Sequence, residues 1–146
     1  MTLKQYLAQY EELLERMKMT QNRIRRMRME ADALSSVWGE HISAHNHEAS
    51  YVRLLEKIDE AEHALDRDVG LEILLREQME KCFAALPNHR LRWTVEYIYL
   101  EGRSYRETGE LLFVDKTTVF RWCEKAREML EVPEDPVDIN AEEKTE

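Results

Sequence analysis

Residues 2–35 contain neither glycine nor proline, and the whole 146-residue chain has only four Gly and three Pro. A backbone so poor in turn-formers cannot make the many reversals of an all-β fold, so it is confined to long helices. Apolar side chains recur at Leu3, Leu7, Tyr10, Leu14, Met17, Ile24, Ala31 and Leu34. The steps alternate four and three until Gln21 interrupts the seam. They predict one helix about 50 Å long with a heptad-like stripe. Thr2 is its expected N-cap. The stretch Ser35 to His47 breaks the pattern, with Gly39 as the expected bend. A second helical run follows over 48–85, striped by Tyr51, Leu55, Ile58, Leu65, Val69, Met79 and Phe83. Gly70 lies inside it, costs about 1 kcal/mol relative to Ala, and marks a place for a kink.

A narrow apolar stripe has to be covered. The nearest cover is the neighbouring helix, which gives an antiparallel hairpin over 1–86. An intermolecular coiled coil, and so a homodimer through the N-terminal helices, is the second way to cover it.

The formal charge of -9 argues at first against a nucleic-acid partner. Its distribution reverses that inference. Residues 1–47 carry net +1, 48–87 net -5, 88–130 net +1 and 131–146 net -6. The acidic excess therefore lies in the second helix and the tail. Arg23, Arg25, Arg26 and Arg28 form one basic group, read here as a solvated face opposite the acidic second helix. Lys116, Arg121, Lys125 and Arg127 form another. The tail EVPEDPVDINAEEKTE is too acidic and proline-rich to pack, and is expected to be disordered. Folded back over Lys116, Arg121 and Lys125, it would weaken non-specific DNA binding.

No segment approaches the roughly 18 consecutive apolar residues of a membrane span, and no apolar leader is evident. Cys82 and Cys123 are isolated and fit a reducing, cytoplasmic setting. No cofactor or catalytic motif is present: there is no GxSxG, P-loop, GxGxxG or HExxH. His41 and His45 have the spacing of a helical metal pair, with Glu40, His47 and Glu48 nearby. Without further ligands in zinc spacing they are read as polar loop residues, so no metal is expected.

Residues 88–130 hold the informative pattern. Leu86-Pro87 ends the preceding helix. A first short helix carries Leu91, Val95, Ile98 and Tyr99 inward and closes at Gly102, where a left-handed residue is expected. Ser104 and Glu107 form a capping box for a second helix running to about Leu112. Asp115 caps a third, running to about Leu130. A short helix, a three-residue turn and a longer helix define a helix-turn-helix. Gly109 is the small residue required where the two helices touch, and Leu112, Val114, Val119 and Trp122 fall at inward offsets. Trp93 is likewise read as core rather than as a base-stacking platform.

The outward face of the third helix then shows Lys116, Thr117, Thr118, Phe120 (in part), Arg121 and Lys125. Basic and hydroxyl groups there suit phosphates and base edges, and Arg121 can reach a guanine with both donors. Arg103, Tyr105 and Arg106 flank the start of the second helix, whose free amides favour a phosphate. The expected partner is double-stranded DNA.

The run Gly102 to Leu112, the run Asp115 to Arg121 and the ending Glu124 to Leu130 resemble region 4 of bacterial sigma factors. That family also has Leu-Pro before its first helix. The opening from Tyr6 to Arg16 is similar to small phage-encoded sigma-like regulators, including the ArpU-type late regulators. The resemblance implies a transcription regulator encoded by a phage or prophage. It would act in the cytoplasm of a bacterial host, on promoter DNA and on host RNA polymerase. Its turn glycine is Phe113 here, and its usual Ile and Ala are Thr108 and Gly109. An aromatic side chain makes a left-handed turn costlier. The reading is thus an all-α protein: a hairpin or coiled coil over 1–86, a sigma region 4-like three-helix unit over 87–130 and a tail over 131–146. It is a non-enzymatic regulator of transcription. A protein-interaction module and a phage DNA-packaging protein recognising genome ends are the alternatives.

Overall fold

A computed structural model describes residues 1–37 and 44–141. Helices α1 (Leu3–Val37), α2 (Ala44–Ala84), α3 (His89–Val95), α4 (Tyr105–Leu112) and α5 (Lys116–Met129) account for most of these residues, and none of them is in a strand. A π-helical turn, Glu96–Leu100, continues α3. No described helix is long and apolar enough to cross a membrane. The expected bend at Gly39 and the histidine pair at His41 and His45 lie outside the described residues or their described side chains, as does His47. No metal-ligating cluster occurs among the described residues.

Local chemistry sets the helix ends. Gln5 donates its backbone N–H to Thr2 Oγ1 at 3.2 Å, and Thr2 donates its own to Gln5 Oε1 at 2.9 Å. This reciprocal cap satisfies two donors that the first turn leaves open. Asn88, which the sequence reading did not single out, caps α3 by accepting the Arg90 N–H at 2.9 Å. Gly70 does not interrupt α2, which is continuous from Ala44 to Ala84.

The chain divides into two compact units, Glu15–Gly70 and Met1–Leu14 with Leu71–Glu146. In the 15–70 unit, Ile24, Met27 and Ala31 of α1 pack with Leu54, Ile58 and Ala61 of α2, flanked by Leu34, Tyr51 and Leu65. Arg16 grips Asp68 through Nε and a terminal nitrogen, at 3.0 and 2.8 Å. Arg28 pairs with Glu62. Higher numbers in α1 thus meet lower numbers in α2, an antiparallel order. Of the four clustered arginines, Arg28 alone has a described ion pair, with the acidic helix the charge pattern indicated.

The other unit buries Tyr6, Leu7, Tyr10 and Leu13 of α1, Leu75, Met79 and Phe83 of α2, and inward residues of α3 to α5. Tyr6 Oη donates to Gln78 Oε1 at 2.8 Å, and Tyr10 Oη donates to Glu72 Oε1 at 2.6 Å. Burial first, and the hydrogen bond to Glu72 next, push the Tyr10 hydroxyl up to about 12. The hydroxyl stays protonated and keeps donating throughout the neutral range.

Three stripe positions differ from expectation. Leu14, Leu55 and Val69 are exposed, whereas Leu13, Leu54 and Asp68, one residue earlier, turn inward. The buried residues hold one heptad register, Tyr6, Tyr10 and Leu13 then Ile24, Met27 and Ala31 in α1, and Leu54, Ile58 and Ala61 then Asp68, Leu75 and Met79 in α2, so the apolar stripe read from the sequence leaves that register by one residue at these three positions.

The tail also differs. Residues 131–141 were expected to be unstructured, but this stretch lies along the helices as an extended strap. Gln9 donates Nε2 to the Val137 carbonyl at 2.8 Å and accepts the Ile139 N–H at 3.0 Å. Gln78 donates to the Asp135 carbonyl at 2.8 Å and accepts the Val137 N–H at 2.9 Å. Two side-chain amides thus serve alternate peptide groups, as a neighbouring strand would. Ile139 is buried beneath them. These contacts place the strap on α1 and α2, not over the basic residues of α5.

Candidate nucleic-acid interface

The site is built on α3, α4 and α5. Leu91, Thr94 and Val95 of α3, Thr108 and Gly109 of α4, and Val119, Cys123 and Ala126 of α5 are all buried. Thr94 and Thr108 are polar, and each satisfies its hydroxyl by donating to the carbonyl four residues back, Arg90 at 2.7 Å and Ser104 at 2.8 Å. Their apolar methyl faces can then enter the core without an orphaned donor.

Only Phe113, Val114 and Asp115 separate α4 from α5. Gly109 makes this possible. A Cβ built on it would lie 2.6 Å from the Val114 carbonyl oxygen and 3.4 Å from the Asp115 carbonyl carbon. Phe113 closes α4 in the left-handed region, at φ 59° and ψ 39°. The costly left-handed turn therefore forms despite the aromatic side chain. Phe113 is 95% exposed, so burial does not compensate the strain. Phe113→Gly is expected to raise stability by about 1 kcal/mol, since the left-handed penalty of about 1–2 kcal/mol is partly offset by glycine's greater freedom when unfolded. A lower midpoint in urea would refute that account of the turn.

Asp115 starts α5. Its Oδ1 accepts the Thr118 N–H at 2.8 Å and the Thr118 hydroxyl at 2.6 Å. The Thr118 hydroxyl bond, then the backbone bond, lower the Asp115 carboxyl below its ordinary range, so the cap is charged at neutral pH. Ser104 caps α4 by accepting the Glu107 N–H at 3.1 Å, and its hydroxyl reaches Glu107 Oε1 at 3.3 Å.

With Val119, Cys123 and Ala126 inward, Lys116, Thr117, Phe120, Arg121 and Lys125 are exposed. None of the three cations has an ion pair among the described residues. Thr118 differs from the expected arrangement: it is half-buried, and its hydroxyl is committed to the cap. Arg103 reaches Glu101 at 3.4 Å and Glu107 at 3.8 Å, and Arg106 reaches Glu110 at 3.6 Å. Such exposed pairs are worth about 0–1 kcal/mol and exchange readily for another anion. Tyr105 is half-buried and meets Phe120 edge-to-face, 5.8 Å between centroids and 84° between planes.

Trp93 departs from its expected core position. It is 48% exposed and stacks edge-on with His89 at 4.7 Å. Trp122 is half-buried, with the Arg90 guanidinium 5.9 Å from its ring centre. Glu124 is a residue the sequence reading passed over. It is exposed and falls three and seven residues after Arg121 and Thr117, on the same helical stripe. Spacing alone reveals it once the inward residues are known.

Comparison of the chain with protein-family models, with curated proteins and with solved structures finds no match.

Proposed function

We propose that the chain is a sequence-specific DNA-binding transcription regulator in which α4 and α5 act as a helix-turn-helix and α5 enters the major groove. One observation carries the reading. The backbone contact at Gly109 locks two short helices through a three-residue turn, while the first two turns of the second present Lys116, Thr117, Phe120 and Arg121 to solvent. In this reading Arg121 contacts a base edge, Thr117 a base edge or phosphate, and Lys116 and Lys125 phosphates. Arg103 and Arg106 exchange their weak acidic partners for the DNA backbone near the N-terminus of α4. Tyr105 holds Phe120 in place, and Thr118 serves the cap. The protein is not an enzyme in this reading.

The resemblance to sigma region 4 extends the proposal to a phage or prophage regulator in a bacterial cytoplasm that contacts host RNA polymerase. One helix-turn-helix reads few base pairs, so such a protein needs a second subunit or a polymerase contact for useful specificity. The α1–α2 hairpin is the proposed dimerisation element. Exposed Val52 and Leu55 on α2 support that assignment.

The test is selection of duplexes from a randomised pool by the purified full-length protein, followed by binding measurements. Arg121→Ala is expected to weaken the selected site by about 1–3 kcal/mol and relax one base position. Lys125→Ala is expected to weaken all sequences alike and reduce the salt slope by about one. Failure to enrich any duplex, or full affinity in Arg121→Ala, would reject the reading.

A further inference from the structure

Thr117, Phe120, Arg121 and Glu124 are exposed at spacings of three, four and seven residues, and so form one stripe along α5. Three of these side chains can hydrogen-bond, and Phe120 cannot. Phe120 is 41% exposed, and its ring is oriented by the edge-to-face contact with Tyr105, the half-buried first residue of α4. When the face is covered, an aromatic ring already held in place gains by meeting an apolar group and loses little further freedom. In the major groove, a base pair offers one apolar group, the C5-methyl of thymine.

From this we infer that Phe120 is a specificity-determining residue that reads a thymine methyl beside the base contacted by Arg121. The inference rests on the proposed helix-turn-helix reading and adds what that reading leaves open, the base class selected at one position. Glu124, one turn further along, is placed to accept from a cytosine amino group, which would favour a thymine next to a G·C pair.

The experiment uses the full-length protein and the duplex it enriches most strongly. Each thymine is replaced in turn by deoxyuridine, which removes the methyl group and leaves pairing and the acceptor pattern unchanged. At one thymine, or two neighbouring ones, wild type is expected to lose about fourfold in affinity, the worth of one buried methyl. Phe120→Ala is expected to bind thymine and uracil duplexes equally, and Phe120→Leu to keep part of the preference. A wild-type protein indifferent to every substitution overturns the inference while leaving DNA binding intact. So does a preference that persists in Phe120→Ala. Failure to enrich any duplex would remove the underlying reading, and this inference with it. The wild-type measurement stands without any variant, so a poorly folding mutant does not blunt the test.

Discussion

Replacing Gly109 with alanine is expected to destabilise the protein by about 2 kcal/mol and lower its melting temperature by roughly 5 °C. The sign is the informative part. In an open helix the same change would gain about 1 kcal/mol, because glycine is a poor helix former. Here the added methyl would sit 2.6 Å from the Val114 carbonyl oxygen, a backbone atom with little room to yield. The turn is also tied to the substituted residue. The N–H groups of Phe113 and Val114 both reach the Gly109 carbonyl, the latter at 2.9 Å. To relieve the clash, α5 would have to swing away from α4, opening the packing around Thr108 and Val119. Thermal unfolding followed by circular dichroism measures the effect. A midpoint unchanged or raised would mean that the two helices are not in the close contact on which the proposed DNA-reading geometry depends. The variant should also lose selected-site affinity beyond what its folded fraction explains, because Arg121 and Phe120 lie just beyond the displaced turn.

The second large effect is expected in the 15–70 unit. Arg16→Ala removes both hydrogen bonds to Asp68, which is 8% exposed. A carboxylate left that deep without its partner costs several kcal/mol when dry. The Arg16 side chain is itself 36% exposed, so water softens the loss to about 2 kcal/mol. Val69→Asn, next in sequence, changes an exposed side chain and should stay within about 0.5 kcal/mol. Urea unfolding of the two variants decides between inward positions. If Val69→Asn proved the more damaging, Val69 and not Asp68 would be the inward residue. The double change Arg16→Met with Asp68→Leu should recover most of the Arg16→Ala loss, since replacing a buried ion pair with apolar groups is often neutral.

Legibility differed from residue to residue. The caps at Thr2, Ser104 and Asp115 were readable because each depends on a side chain and an amide three residues apart. In α5 only Val119 was legible: Cys123 and Ala126 complete the buried face, and Trp122, read as inward, is half-buried. In α1 and α2 the buried residues follow one heptad register, but apolar residues also stand beside it. Leu13 and Leu14, or Leu54 and Leu55, are then equally apolar neighbours between which no local rule chooses. The candidate interface was visible as a set of exposed cations. The commitment of Thr118 to its cap and the Tyr105–Phe120 contact were not, because both depend on side-chain geometry in three dimensions.

The C-terminal strap marks the limit of sequence reading most sharply. Its composition is that of a disordered tail, and nothing within it forms a core. Its partners, Gln78 and Gln9, lie 57 to 130 residues away. Glutamine on a helix carries no mark that it will bond a distant backbone. By itself, then, the sequence determined the helical class, the helix starts at Thr2, Ser104 and Asp115, the tight passage at Gly109 and the partition of charge. These follow from interactions within a few residues, which amino-acid order specifies directly. The tertiary structure alone decided which of two adjacent apolar residues turns inward, that Asp68 is buried against Arg16, and where the tail is held. Each of those is a choice between local alternatives of nearly equal free energy, and only a partner distant in the chain can tip it.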